Sequence, residues 1–169
     1  AMGLAAVLLL DAQAAGYPVD ADRLEHLLGW LTRRLSVGGL PPLTAAWAHA
    51  ALARAGTPQT ARLRRLAADL PRPLLGQDRE RAALLWSALH RAGDQRYAAD
   101  LAALVTEAKT EGGRREAAFW SGQRGQAVAA AEAVRVLGPV DGLAPGVAPL
   151  VDSLRAHKLT TPELGWTLA

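Results

Sequence analysis

The chain has 169 residues, 50% of them hydrophobic and 21% charged, which suits one globular domain with a real core and excludes a disordered chain. The net charge at pH 7 is only +3 although the pI is about 9.9, and the basic residues, nearly all Arg, lie scattered through the sequence, so no nucleic-acid footprint is expected. The absence of cysteine excludes disulfides, thiolate zinc sites, a cysteine nucleophile and an internal thioester within these residues, while leaving the redox compartment open.

Ala and Leu far outnumber Val and Ile, and aromatic residues make up 5%, a composition that favours helix over strand. The first predicted helix runs from Met2 to Ala15. Its apolar stretch Leu4 to Leu10 is too short to cross a bilayer before Asp11 and Gln13 interrupt it, and the stretch does not read as a signal peptide, so a soluble segment is expected. Gly16 follows as a C-cap, and after a short turn Asp20 caps a second helix with the stripe Leu24/Leu27/Leu28/Leu31.

Gly38-Gly39-Leu40-Pro41-Pro42 breaks the chain before an Ala-rich helix from Leu43 to Ala55, which stops at Gly56. The next stripe is Leu63/Leu66/Ala67/Leu70, ended by Pro71-Arg72-Pro73. A third Ala-rich helix spans Asp78 to Ala92, with Asp78 as its N-cap and Gly93 as its stop. Asp94 is placed as the N-cap of the helix bearing Leu101/Leu104/Val105/Ala108, and Glu111-Gly112-Gly113 closes that unit. The fourth pair is a helix from Ser121 to Leu137, then Gly138-Pro139, then the stripe Val147/Leu150/Val151/Leu154; a ninth helix starts near Thr161.

The stopping glycines are spaced 40, 37 and 45 residues apart, and each stripe begins at a similar distance past its glycine. Such a period defines one supersecondary unit repeated: an all-α array of antiparallel helix hairpins, about four and a half of them, in a single domain covering 1–169. The period is too long for tetratricopeptide repeats. It fits both an open HEAT-like protein-binding solenoid and an α/α toroid, a fold also used by terpene-cyclase-like and glycosidase-like enzymes. The entry at Ala1-Met2-Gly3 without an N-cap, and the stop at Ala169 inside a further helical pattern, lead to the expectation of a fragment of a larger protein.

Three stretches resemble the later part of the thioester domain of bacterial alpha-2-macroglobulins. LLLDAQAAGYPVDADRLEHLLGWL is similar to the family's helix ending in Ala-Gly-Tyr followed by a Val-bearing turn and an amphipathic helix. FWSGQRGQAVAAAEAVRVLG resembles its Trp-Ser segment leading into an Ala- and Leu-rich helix, with Arg124 and Ala127 matching. TTPELGWTLA resembles its Ser-Thr-Gln-Glu-Thr-Ala-Trp-Ala-Leu segment at Thr161, Glu163, Trp166 and Leu168, and departs from it at Pro162, where the family usually has Gln, and at Gly165, where it usually has Ala. The resemblance implies an α/α toroid and a broad-range protease trap in which cleavage of a bait region lets a Cys-x-Glu-Gln thioester capture the protease. That motif lies upstream of the matched region, so the segment is expected to be scaffold, with target proteases and other macroglobulin domains as partners and the periplasm as location. The ends of a partial ring are expected to be apolar and to drive self-association.

No catalytic, cofactor-binding or metal-binding residue is assigned. His26, His49, His90 and His157 each stand alone on a helix without an i+3 or i+4 ligand partner, and are read as surface or rim residues. Asp20-Ala21-Asp22 is read as helix capping and not as a prenyl-chain motif; Glu25, Glu80 and Glu163 are read as exposed charge pairing or dipole compensation. Gly122 and Gly125 form no phosphate loop, and Ser87, Ser121 and Ser153 lack a nucleophile elbow. Trp30, Trp47, Trp86, Trp120 and Trp166 are read as packing residues in preference to a carbohydrate platform.

Overall fold

Where an L-residue would resist a left-handed turn, glycine stops each Ala-rich helix. The computed structural model describes residues 2–107, 128, 131–133 and 135–137. Gly16, Gly56 and Gly93 have φ of 86°, 79° and 83°, and each makes the same pair of bonds. Gly16 N–H donates to Gln13 O and Tyr17 N–H to Ala12 O; Gly56 and Thr57 repeat this onto Ala53 and Leu52, and Gly93 and Asp94 onto His90 and Leu89, all at 2.9–3.2 Å. Three Schellman caps in register make the repeat a physical one.

The helices are α1 (Met2–Ala14), α2 (Ala21–Val37), α3 (Pro42–Arg54), α4 (Thr60–Ala68), α5 (Gln77–Arg91) and α6 (Ala98–Glu107). The positions described between 128 and 137 are also helical, and no strand occurs among the described residues. Pro42 opens α3 at a position where its missing N–H costs nothing. Asp20 caps α2 as expected, its carboxylate accepting from Arg23 N–H at 3.0 Å.

Two other capping expectations fail. The residue before α5 is Gly76, and Asp78 lies inside the first turn, where it pairs with Arg81 at 2.5 Å. Asp94 stands four residues ahead of α6, and its carboxylate is taken by arginine side chains instead of helix N–H groups. The Asp94 N–H closes the Schellman turn that ends α5, and α6 begins only after a further turn in which Ala98 N–H donates to Gln95 O at 3.0 Å. Gly138, the fourth stripe and the ninth helix lie outside the described residues, as does Ala108.

The first helices of the three units pack side by side, α1 on α3 and α3 on α5. The second helices lie against them: α2 on both α1 and α3, α4 on α5, and α6 on α5. Thus α4 rests mainly on the next unit's first helix, not on its own partner, which knits successive units together. Burial follows from this placement, since Ala46–Ala53 of α3 and Ala82–Leu89 of α5 are buried without a break. These runs are enclosed on every side, whereas α2 and α4 bury one stripe each, Leu24/Leu31/Leu35 and Leu63/Ala67. Leu70, predicted as helical, lies beyond the end of α4 yet is still buried. Alanines and Gly3 let axes approach closely: a Cβ on Gly3 would stand 2.7 Å from the Ala48 nitrogen.

Candidate functional site

Near their glycine-capped ends the first helices carry a set of polar residues. Asp11 lies five residues before Gly16, Arg54 and Arg91 two before Gly56 and Gly93, and Ser87 six before Gly93. They meet Glu132 and Arg135 there. Arg54 Nη2 donates to Glu132 Oε1, and its Nε lies 3.4 Å from Asp11 Oδ1. Ser87 Oγ donates to Glu132 Oε2 at 2.7 Å and is also 3.1 Å from Leu84 O, and Arg135 Nη1 donates to Asp11 Oδ2.

The centre of this network is dry. Glu132 is fully buried, and the Arg54 side chain is 5% exposed. Charges so placed are tolerated only when paired and hydrogen-bonded. Arg91 sits at the rim; burial and then the neighbouring Arg54 guanidinium lower its pKa, with Glu132 and Asp11 acting the other way. Three guanidiniums thus gather around two carboxylates near the C-terminal ends of α3 and α5, where the helix dipole favours positive charge. What the arrangement does is tie Glu132 and Arg135 to α1, α3 and α5 through Asp11, Arg54 and Ser87.

The sequence-predicted candidates are dispersed. His26 is exposed, with Nδ1 2.8 Å from Asp22 O. His49 corrects the surface reading: it is 1% exposed, neither ring nitrogen has a partner, and burial, then Arg62, lowers its pKa to about 4. His90 is half-buried on α5. These three stand on different helices, and no group of three potential metal ligands occurs among the described residues.

Glu25 is exposed as expected, but Glu80 is not: it is 2% exposed and accepts from Trp47 Nε1 at 2.9 Å, an interaction between α3 and α5. Trp86 is 1% exposed, stacked on Tyr97 at 5.5 Å and 5°, with Arg72 over its ring at 5.3 Å. Trp47 and Trp86 are therefore core residues, while Trp30 is 39% exposed. Asp20 and Asp22 belong to the start of α2, and Ser87 serves the buried network. His157, Glu163, Gly122, Gly125, Ser121, Ser153, Trp120, Trp166 and Pro162 lie outside the described residues.

Sequence reasoning missed Asp11, Arg54, Glu132 and Arg135. The signal was there: each is a charge set into an Ala- and Leu-rich run, as in LLLDAQAA, AALARAG and AAAEAVRVL. The chain matches no protein-family profile, no characterised protein and no solved structure.

Proposed function

We propose that this chain is scaffold from the thioester domain of a bacterial alpha-2-macroglobulin-like protease trap, its helices forming part of the wall of an α/α toroid. The observation that carries the reading is the layer of first helices, α1, α3 and α5, each ended by the same glycine cap and each backed by second helices. An α/α toroid is built from two such layers. The Ala-Gly-Tyr motif of the resemblance acquires a physical role as well, since Gly16 takes the left-handed turn and the Tyr17 N–H closes the cap.

In this reading the segment performs no chemistry. Its charged network is a structural fastener, the partners are target proteases and the trap's other domains, and the location inferred from resemblance is the periplasm. Met2 and Leu9, 50% and 37% exposed on α1, belong to the apolar end through which the segment self-associates. Light scattering after size exclusion tests that point; a monomer at high concentration would count against it.

The experiment for the function is to express the full product of the gene and ask whether it captures a protease covalently in a methylamine-sensitive way. Capture, together with a Cys-x-Glu-Gln motif upstream, supports a thioester trap. Absence of both removes the thioester reading.

A further inference from the structure

Between Glu25 and Asp69 the chain contains six arginines and no Asp or Glu. Two of the six are neutralised from elsewhere, Arg54 by Asp11 and Glu132, and Arg64 by Asp94. Arg33, Arg34, Arg62 and Arg65 have no carboxylate within ion-pair distance among the described residues. The fold gathers what the sequence scatters: Arg62 Nη1, on α4, donates to Leu35 O at 2.5 Å, so the Arg62 side chain reaches across to the end of α2, the helix that carries Arg33 and Arg34. Arg65 lies one turn further along α4. Arg33, Arg34 and Arg65 are exposed.

An exposed apolar component runs through the same place. Trp30 is 39% exposed and Val37 78%, at helical spacing on either side of Arg33 and Arg34. Gly29 clears the helix surface next to Trp30, so that Arg33 Nη1 lies 3.5 Å from where a Cβ would stand. Trp and Arg are the residue types that anchor protein interfaces, and guanidinium forks match carboxylates.

We propose that the outer surface where the end of α2 meets the start of α4 binds an acidic polypeptide segment, Arg33, Arg34, Arg62 and Arg65 pairing with its carboxylates and Trp30 packing on its apolar side chains. The charge is unmatched within the described chain, which calls for an anionic partner. A polypeptide fits better than a nucleic acid, because one aromatic and one aliphatic anchor among arginines lack the row of stacking rings a single strand uses. A bilayer fits less well too, since Trp30 and Val37 are separated by arginines and form no continuous apolar face. The inference does not depend on the macroglobulin reading.

The test uses fluorescence anisotropy with a labelled peptide of Glu-Glu-Leu-Glu repeats, alongside polyglutamate of equal length, an oligothymidylate, and phosphatidylserine-containing vesicles. The Leu-bearing peptide should bind most tightly and weaken with salt. Arg34→Glu and Arg65→Glu should each weaken it about tenfold or more, whereas Arg23→Glu, the same charge change at the other end of α2, should alter it by less than about threefold. Trp30→Ala should weaken the Leu-bearing peptide and leave polyglutamate unchanged. Equal losses in Arg23→Glu and Arg34→Glu, no binding of either peptide, or tighter binding of the oligonucleotide or vesicles would overturn the proposal. Circular dichroism of each variant checks that the helices persist.

Discussion

The guanidinium of Arg54 donates to the carboxylate of Glu132, 78 residues away in sequence, and neither side chain is more than 5% exposed. The pair joins α3 to the 128–137 segment inside an otherwise apolar layer. Breaking such a pair from one side leaves a buried charge short of its partner. Glu132→Leu should therefore cost about 3–5 kcal/mol in urea denaturation, and Ser87→Ala about 1 kcal/mol. The double variant Arg54→Met/Glu132→Leu should lose less than Glu132→Leu alone, because the stranded guanidinium is gone; a larger loss would refute the pairing argument.

His49 predicts an acid response at mild pH. Its ring is neutral in the folded chain, with a pKa near 4 against an ordinary 6.5. A depressed folded pKa means that stability is complete above pH 6.5 and declines as pH falls from there toward 4, because the unfolded chain takes the proton first. The full span amounts to about 3 kcal/mol. His49→Leu should flatten the profile over this window and raise stability at pH 5, since it also removes two ring nitrogens without partners. An unchanged slope in that variant would assign the decline to other groups.

Asp94 acts at lower pH. Hydrogen bonds from Arg96, at 2.7 and 3.0 Å, and then from Arg64, at 2.8 Å, hold its carboxyl well below the usual carboxylate range. Its contribution is present above the ordinary value of 3.8 and is lost as pH falls below that. Asp94→Asn should lower the Tm at pH 7, and the gap to the parent should narrow as the melts are taken down through pH 3. A gap independent of pH would make the role of Asp94 steric.

The helix stops were legible because each rests on one local demand, a left-handed residue, that Ala-Gly states plainly at Gly16, Gly56 and Gly93. The Asp20 cap was legible from another local demand, an acceptor for the first helical N–H groups, while Asp78 and Asp94 misled because an acid near a helix start can equally serve an arginine. The polar network was illegible from pattern alone. Asp11 and Glu132 are far apart in the chain and share Arg54 only because the helices that carry them pack together, so the network is a consequence of packing. Glu80 and His49 were misjudged alike: polarity argued for the surface, but α3 and α5 are enclosed on all sides.

Two helical glycines separate the effect of packing from that of propensity. Replacing Gly by Ala inside a helix gains roughly 0.5–1 kcal/mol when nothing else changes. At Gly29 the added methyl would meet only the end of the Arg33 side chain, at 3.5 Å, which can move, so Gly29→Ala should stabilise by about that amount. At Gly3 it would meet the backbone of α3, 2.7 Å from Ala48 N and 2.9 Å from Trp47 C, and neither can yield without shifting α1. Overpacking of this kind costs about 1–3 kcal/mol, which outweighs the propensity gain, so Gly3→Ala should destabilise. Urea titrations of the two variants give opposite signs if the close approach of α1 and α3 holds the first unit to the second; equal gains would mean that α1 is free to move away.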